Sequence, residues 1–252
     1  MLFGTTGEGT SFSAAERIAT LRALLEQGTA PERLAIGVGF PAIPDAADLC
    51  RDVLSTSVTQ VLALPPYFYR DVTDDGLFEA YARLINQVGN DRLRLTLYNI
   101  PQVSGIRVPP AVAARLRARY GPVIAGVKDS SSDFAQFSAF RAAAPELAVT
   151  VGAEFDIGRA LAEGGAGTIC GMGNVAPDLV RAMFRPNPPV EQMRAACGLV
   201  SGPFIALLKS MLAARSGKSG WLSVRAPLRS AALADGTQRL AQLDLLTLQF
   251  AA

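Results

Sequence analysis

Two stretches decide the fold: Leu93-Arg-Leu-Thr-Leu-Tyr-Asn99 and Val123-Ile-Ala-Gly-Val-Lys128. Each is a short run rich in aliphatic or β-branched residues, and between them Pro109–Tyr120 repeats apolar residues at helical spacing. Strand, helix and strand in that order make a βαβ unit. Near-continuous apolar runs, rather than alternating ones, mark parallel strands buried on both faces. The alternation extends outward in both directions. Further strands are expected at Leu34–Phe40, Gln60–Leu64, Leu147–Gly152 and Gly167–Gly171, with a clipped one at Leu2–Phe3. Helical patterns lie at Ser13–Gln27, Asp45–Thr56, Asp74–Val88, Phe134–Ala143 and Phe155–Glu163. Successive strand ends recur about every 28 residues, close to the roughly 30 of one βα unit.

This series predicts an α/β chain, a (β/α)8 TIM barrel, and 252 residues is a length that suits one. Seven strands fall short of the eight a barrel requires. Because Leu2-Phe3 reads as the last turn of a strand, the first βα unit is expected to lie before Met1. An open barrel would expose strand edges, so a start upstream is favoured over a partner or swapped element covering the gap and over a product that folds poorly. After Gly171 the pattern turns helical at Asp178–Phe184, Val190–Ala214 and about Arg225–Leu246. The expected organisation is therefore an N-terminally shortened barrel over 1–185 and a C-terminal helical extension over 186–252. An open doubly wound sheet is the rival architecture. Neither GxGxxG nor GxxxxGK[ST] follows a strand, which lowers that option.

Composition removes several chemistries. The chain has no histidine, so Ser-His-Asp and Cys-His triads and HExxH zinc sites cannot be built. Cys50, Cys170 and Cys197 are odd in number and widely spaced, which argues against a disulfide framework or zinc site. A net charge of +2 with scattered basic residues gives no nucleic-acid patch. The apolar stretch from Leu199 to Ala214 is interrupted by Pro203 and Lys209 and is not read as a membrane span. No signal-peptide pattern follows Met1, so a cytoplasmic protein is expected. Of 24 basic residues only Lys128, Lys209 and Lys218 are lysines, and the rest are arginines.

Barrel active sites lie at the C-terminal ends of strands. Lys128 ends one such run. A desolvated amine there favours the neutral form, which can attack a ketone and form an imine. A lysine reaching water from a strand end is the plainer alternative, countered here by lysine scarcity and by the neighbouring residues. One βα unit earlier, Leu95-Thr-Leu-Tyr98-Asn-Ile-Pro101 ends in a phenol that could carry protons beside that amine. Gly4-Thr-Thr-Gly-Glu8 offers two hydroxyls and unblocked backbone N–H groups before a helix, a carboxylate cradle. Ser11 or Ser13 with Glu16 reads as a helix cap. The glycine-rich Gly164–Asn174 fits either close ligand approach or tight barrel closure, and leaves phosphorylated substrates open. Lys209 reads as a solvated or snorkelling helix lysine, and Lys218 as a loop lysine.

These motifs, in this order and spacing, resemble the dihydrodipicolinate synthase and N-acetylneuraminate lyase family of Schiff-base aldolases. The resemblance runs from Leu2-Phe-Gly-Thr-Thr-Gly-Glu8 through Tyr98-Asn-Ile-Pro101, Gly126-Val-Lys-Asp-Ser130, Gly164-Gly-Ala-Gly and Gly173-Asn174 to Val224-Arg-Ala-Pro-Leu228. It implies that Lys128 is the imine-forming lysine and Tyr98 the proton-transferring tyrosine. Thr5 and Thr6 are implied to hold a pyruvate carboxylate, Thr5 also touching the proton path. Ile169 is implied to turn its backbone toward the pyruvyl group. Gly152 and Glu154 match positions that bind substrate hydroxyls in some lyases. The resemblance further implies a homo-oligomer, dimer or tetramer. It implies pyruvate and an aldehyde as small-molecule partners, and no metal or other cofactor, because the iminium is the electron sink.

The departures concern the substrate. The synthases place a carboxylate-gripping arginine where this chain has Val103, and a relay tyrosine from a neighbouring subunit where it has Phe68. Sialic acid lyases carry a serine where it has Gly171. The expected activity is retro-aldol cleavage of a 2-oxo sugar acid or 4-hydroxy-2-oxo acid, or the reverse condensation. A dehydratase acting on such a substrate stays open. A 4-hydroxy-tetrahydrodipicolinate synthase and a catalytically inactive 2-oxo-acid-binding barrel are the alternatives.

Overall fold

The computed structural model describes residues 1–250. It divides into two compact units, the first spanning Met1–Gly152 with Glu163–Ile169, the second Ala153–Ala162 with the chain from Cys170 onward.

The first unit carries a parallel sheet of β1 (Ala35–Val38), β2 (Gln60–Ala63), β3 (Arg94–Asn99), β4 (Ile124–Asp129), β5 (Ala148–Val151) and β6 (Gly167–Thr168), hydrogen-bonded in chain order. Leu2 adds a single parallel bridge to Ile36 beside β1, with Leu2 N–H donating to the Ala35 carbonyl and Gly37 N–H to that of Leu2, both at 2.8 Å. The expected strand at Leu2–Phe3 is thus one bridge. The run expected over 167–171 pairs only at its first two residues. Burial along β4 is almost unbroken, as the aliphatic run predicts. Gly126 shows how closely these strands approach. A Cβ there would lie 2.2 Å from the Ala148 carbonyl oxygen.

Helices α1 (Ala14–Glu26), α2 (Ile43–Ser55), α3 (Asp74–Val88), α4 (Pro101–Ser104), α5 (Pro110–Tyr120) and α6 (Phe134–Ala143) complete this unit. Starts follow side-chain caps. Ser13 and Glu16 form a capping box on α1, Thr73 accepts from Gly76 N–H on α3, and Asp133 accepts from Ala135 N–H on α6. The short α4, absent from the sequence pattern, starts at Pro101, whose fixed φ suits a first helical turn.

The second unit is helical: α7 (Ile157–Ala162), α8 (Pro177–Ala182), α9 (Val190–Gly198), α10 (Phe204–Ser216) and α11 (Leu233–Thr247), with 3-10 turns between some of them. The single helix expected over 190–214 is two. Gly202 at φ 100° and Pro203, which lacks an N–H, break it, and α10 begins at the next residue. The last helix starts at Leu233, later than the periodicity indicates. Gly236 allows α10 and α11 to meet, since a Cβ there would sit 2.4 Å from Ser210 backbone atoms. Arg215 and Asp244 pair across the same contact at 2.8 Å. Among the described residues, no helix is long and apolar enough to cross a membrane.

Candidate active site

The ends of β3 and β4 assemble the site. Parallel register sets Tyr98 opposite Lys128 and Asn99 opposite Asp129. Lys128 is 8% exposed, whereas Lys209 is half-buried on α10 and Lys218 is exposed. Lys128 Nζ donates to Tyr98 Oη at 3.0 Å, and Nζ lies 4.1 Å from the phenol ring centroid. Tyr98 Oη lies 3.2 Å from Thr5 Oγ1. Amine, phenol and threonine hydroxyl, contributed by segments far apart in sequence, therefore form one hydrogen-bonded chain. Such a chain can move a proton between the amine and a hydroxyl nearby.

Thr5 and Thr6 are half-buried in a tight turn closed by Glu8 N–H to the Thr5 carbonyl and Gly9 N–H to the Gly4 carbonyl, both at 3.0 Å. Phe3 and Glu8 adopt positive φ, 57° and 55°, at its two ends. That is an uncommon conformation for side-chain-bearing residues and concentrates at functional loops. Gly152, at the exit of β5, donates its N–H to the Asp129 carbonyl at 2.7 Å, and a Cβ on it would collide with Ser130 Oγ at 2.0 Å. Ile169 is half-buried, and its N–H donates to the Val151 carbonyl at 3.3 Å. A cavity of about 150 Å³, lined by Gln60, Leu62, Thr96 and Ile169 among others, lies toward the starts of β1 and β2 and has none of Lys128, Tyr98 or Thr5 in its wall. The chemistry-bearing chain, and not that cavity, marks the site.

Two supports were given no role from the sequence, although Asn99 and Asp129 stand within the quoted motifs. Asn99, fully buried, donates from Nδ2 to Asp129 Oδ1 at 2.7 Å and accepts the Val108 N–H on Oδ1 at 3.0 Å. Asp129 also accepts from Ser131 N–H at 3.2 Å and Ser131 Oγ at 3.1 Å. Burial pushes the Asp129 carboxyl above the usual aspartate value, against the donors from Asn99 and Ser131. The second support, Arg17, is enclosed beneath the Thr5-Thr6 turn at 1% exposure. A polar residue inside an apolar run was the available signal for both.

The second unit holds Glu154. Its Oε1 accepts the N–H groups of Gly171 at 3.0 Å and Met172 at 2.9 Å, and Oε2 meets Cys197 Sγ at 3.8 Å. Burial, then the Glu154 charge, pushes the Cys197 thiol up to about 12. A Cβ at Gly171 would meet the Phe204 ring at 2.4 Å, so a serine there would require that ring to move.

Residues 1–191 match the dihydrodipicolinate synthetase family. An uncharacterized DapA-like lyase of Chloroflexus aurantiacus is 34% identical over 184 residues, covering 73% of this chain and 61% of that protein. A 4-hydroxy-tetrahydrodipicolinate synthase of Hyphomonas neptunium is 34% identical over 185 residues, covering 71% and 60%. The matched part is about three-fifths of the length of these curated relatives. The crystal structure of dihydrodipicolinate synthase from Agrobacterium tumefaciens overlays with a TM-score of 0.88 at 33% identity, over 97% of this chain and 86% of that one. The Ruminococcus gnavus sialic acid aldolase overlays at 0.84 and 19% identity over 98% and 85%, a likeness of fold alone. The α/β fold is accordingly the TIM-barrel-like fold of the synthases, with C-terminal helices.

Proposed function

This chain belongs to the dihydrodipicolinate synthetase family, and from that premise we propose that it is a Schiff-base aldolase or lyase, making or breaking a C–C bond between pyruvate and an aldehyde. The observation that carries the reading is the hydrogen-bonded chain from Lys128 Nζ through Tyr98 Oη to Thr5 Oγ1.

In the cleavage direction the neutral Lys128 amine adds to the C2 ketone of a 4-hydroxy-2-oxo acid, giving a carbinolamine. Tyr98 passes a proton to the departing hydroxyl, and loss of water leaves the iminium. The Tyr98 phenolate left by that step takes the C4 hydroxyl proton, and the C3–C4 bond breaks. The electron pair moves into an enamine and the aldehyde leaves. Protonation at C3 and hydrolysis return pyruvate and the free amine. Thr5 and Thr6 hold the C1 carboxylate through hydroxyl and backbone donors, and the Ile169 backbone faces the pyruvyl group. The iminium supplies the electron sink, so the cycle as proposed requires no metal and no further cofactor.

For the aldehyde portion we assign Gly152 and Glu154 to substrate hydroxyls. Glu154 Oε1 accepts two backbone donors and Oε2 meets Cys197 Sγ, so a substrate hydroxyl would share one of these oxygens. A 4-hydroxy-tetrahydrodipicolinate synthase is the second reading, favoured by the 33% identity to a synthase of solved structure. Against it stand Val103 and Phe68, which are 60% and 75% exposed and offer neither a guanidinium nor a phenol. We further propose a homo-oligomer, dimer or tetramer, acting in the cytoplasm.

The test is to incubate the folded protein with pyruvate, reduce with borohydride and map the peptides. A reduced pyruvyl adduct on Lys128, absent from Lys128→Ala, is the expected result. A cooperatively folded sample without an adduct refutes the Schiff-base reading. A screen of aldehydes, aspartate semialdehyde among them, then separates the two substrate readings.

A further inference from the structure

Arg17 is a cation enclosed by the protein, 1% exposed on the inward face of α1. Its Nη1 donates to the Gly37 carbonyl at 2.8 Å, Nε and Nη2 donate to the Phe12 carbonyl at 3.2 and 3.1 Å, and Nη2 also donates to the Gly9 carbonyl. None of these acceptors is a carboxylate. The guanidinium carbon lies 4.6 Å from the centroid of the Phe40 ring and 6.0 Å from that of Phe3. Burial draws its pKa below the usual arginine value, but a guanidinium starts so far above neutrality that it stays charged. Taking a cation out of water is costly, and a buried one is retained where its hydrogen bonds hold something in place.

What it holds is the turn that carries Thr5 and Thr6. Gly9 ends that turn and Gly37 lies in β1, so one planar group ties the turn to the sheet through both carbonyls. The junction is tight. A Cβ on Gly9 or Gly37 would stand 1.9 or 2.0 Å from the Phe3 carbonyl oxygen, which is packed against both glycines. The turn also carries positive φ at Phe3 and Glu8, a conformation that persists only where surrounding contacts impose it. The 3.2 Å approach of Thr5 Oγ1 to Tyr98 Oη depends on where this turn sits.

We infer that Arg17 is a positioning residue for substrate selection: by pinning the Thr5-Thr6 turn to β1 it shapes the cradle for a carboxylate, and so sets the preference for 2-oxo acids over neutral ketones of similar size. The inference rests on the Schiff-base reading above, which places the substrate carboxylate on that turn.

The experiment compares second-order rate constants for borohydride trapping of pyruvate and of hydroxyacetone, a neutral ketone of similar size, on wild type, Arg17→Gln and Arg17→Lys. Circular dichroism melts accompany each. In Arg17→Gln pyruvate trapping should fall by about ten- to a hundredfold, the weight of a lost charge-assisted hydrogen bond, while hydroxyacetone changes by no more than about twofold. Arg17→Lys, which keeps the charge but loses the fork, should show the same split at smaller size. It carries the test if Arg17→Gln does not fold. Equal losses for both ketones would overturn the inference by making Arg17 a general support, and so would no loss for either. Wild type that traps neither ketone would instead sink the Lys128 reading and this inference with it. Wild type that traps both, with an unchanged ratio in the variants, sinks this inference alone.

Discussion

Replacing Asn99 by alanine removes one side chain next to the Tyr98–Lys128 pair, strands one buried group and takes a donor from another. The Val108 N–H loses its acceptor at 3.0 Å, and Asp129 Oδ1 loses a donor at 2.7 Å, keeping the Ser131 N–H at 3.2 Å. Water does not reach either easily, as Asp129 is 4% and Val108 0% exposed. Stranding the Val108 N–H costs about 1–3 kcal/mol and losing a hydrogen bond to a carboxylate about 1.5–3 kcal/mol, so the variant should be less stable by about 2.5–6 kcal/mol at neutral pH. The sign of the pH dependence is a sharper check. Burial already holds the folded-state pKa of Asp129 above its usual value of 3.8, and Asn99 opposes that shift. Without Asn99 the folded-state pKa rises further. A carboxyl whose pKa is higher in the folded than in the unfolded state adds no penalty below the unfolded value. Its penalty grows as pH rises through the folded value. The stability gap between wild type and Asn99→Ala should therefore be widest near neutrality and narrow as pH falls toward the unfolded-state value. Urea unfolding of both proteins across that pH range measures it. A gap below about 1 kcal/mol at neutral pH refutes the stranding argument, and a gap that widens on acidification refutes the electrostatic one.

Three further outcomes follow from other parts of the molecule. Tyr98→Phe keeps the ring against Lys128 but removes the hydroxyl. It should slow pyruvate trapping by about 10²–10⁴-fold without disturbing the melt, and an unchanged rate would remove Tyr98 from the proton path. Burial pushes the Cys50 thiol up to about 12 and leaves its side chain fully enclosed, so iodoacetamide at mildly alkaline pH should label it only after unfolding; prompt labelling of Cys50 in the native protein contradicts that burial. The Tyr81 hydroxyl is buried with no hydrogen-bond partner, so Tyr81→Phe should leave stability unchanged or raise it by about 1–3 kcal/mol in urea titrations, and a clear loss would mean that the hydroxyl is satisfied after all.

Element type was legible wherever periodicity ran long. The helical patterns at 74–88 and 134–143 coincide with α3 and α6, and caps at Thr73 and Asp133 mark their starts. Strand ends were less legible because pairing depends on the neighbouring strand as much as on the run itself. The apolar run over 34–40 yields only Ala35–Val38, since β1 pairs with β2 over just those residues. The break before α10 was written plainly in Gly202-Pro203, but the apolar residues on both sides continue the helical spacing and mask it. The Lys128–Tyr98 pair was the easiest part to read. A lysine and a tyrosine each close an aliphatic run one βα unit apart, and parallel register then sets them opposite each other.

Arg17 and the Asn99–Asp129 pair were harder, for a physical reason. A motif is visible when the residues that make it are neighbours in sequence or belong to one element. Arg17 finds its acceptors at Gly9, Phe12 and Gly37, all of them backbone carbonyls. Any residue can supply a carbonyl, so no partner side chain advertises the contact. What the sequence does record is the anomaly itself: an arginine beside Ile18 and one turn before Leu21 on the buried stripe of α1. A charge in that place either reaches water or finds enough acceptors to replace it. The fork of a guanidinium is the side chain best fitted to collect several carbonyls at once. Asn99 poses the same question at the end of β3, and its amide answers it with one donor and one acceptor, both used. In each case a polar group lies where the pattern calls for an apolar one and is hydrogen-bonded to groups on neighbouring segments. Stability alone would be served as well by an apolar residue. The exceptions to the apolar pattern at Arg17, Asn99 and Lys128 therefore fit a single arrangement, the one proposed above, in which Lys128 would react and the other two would hold the strand ends and the threonine turn around it.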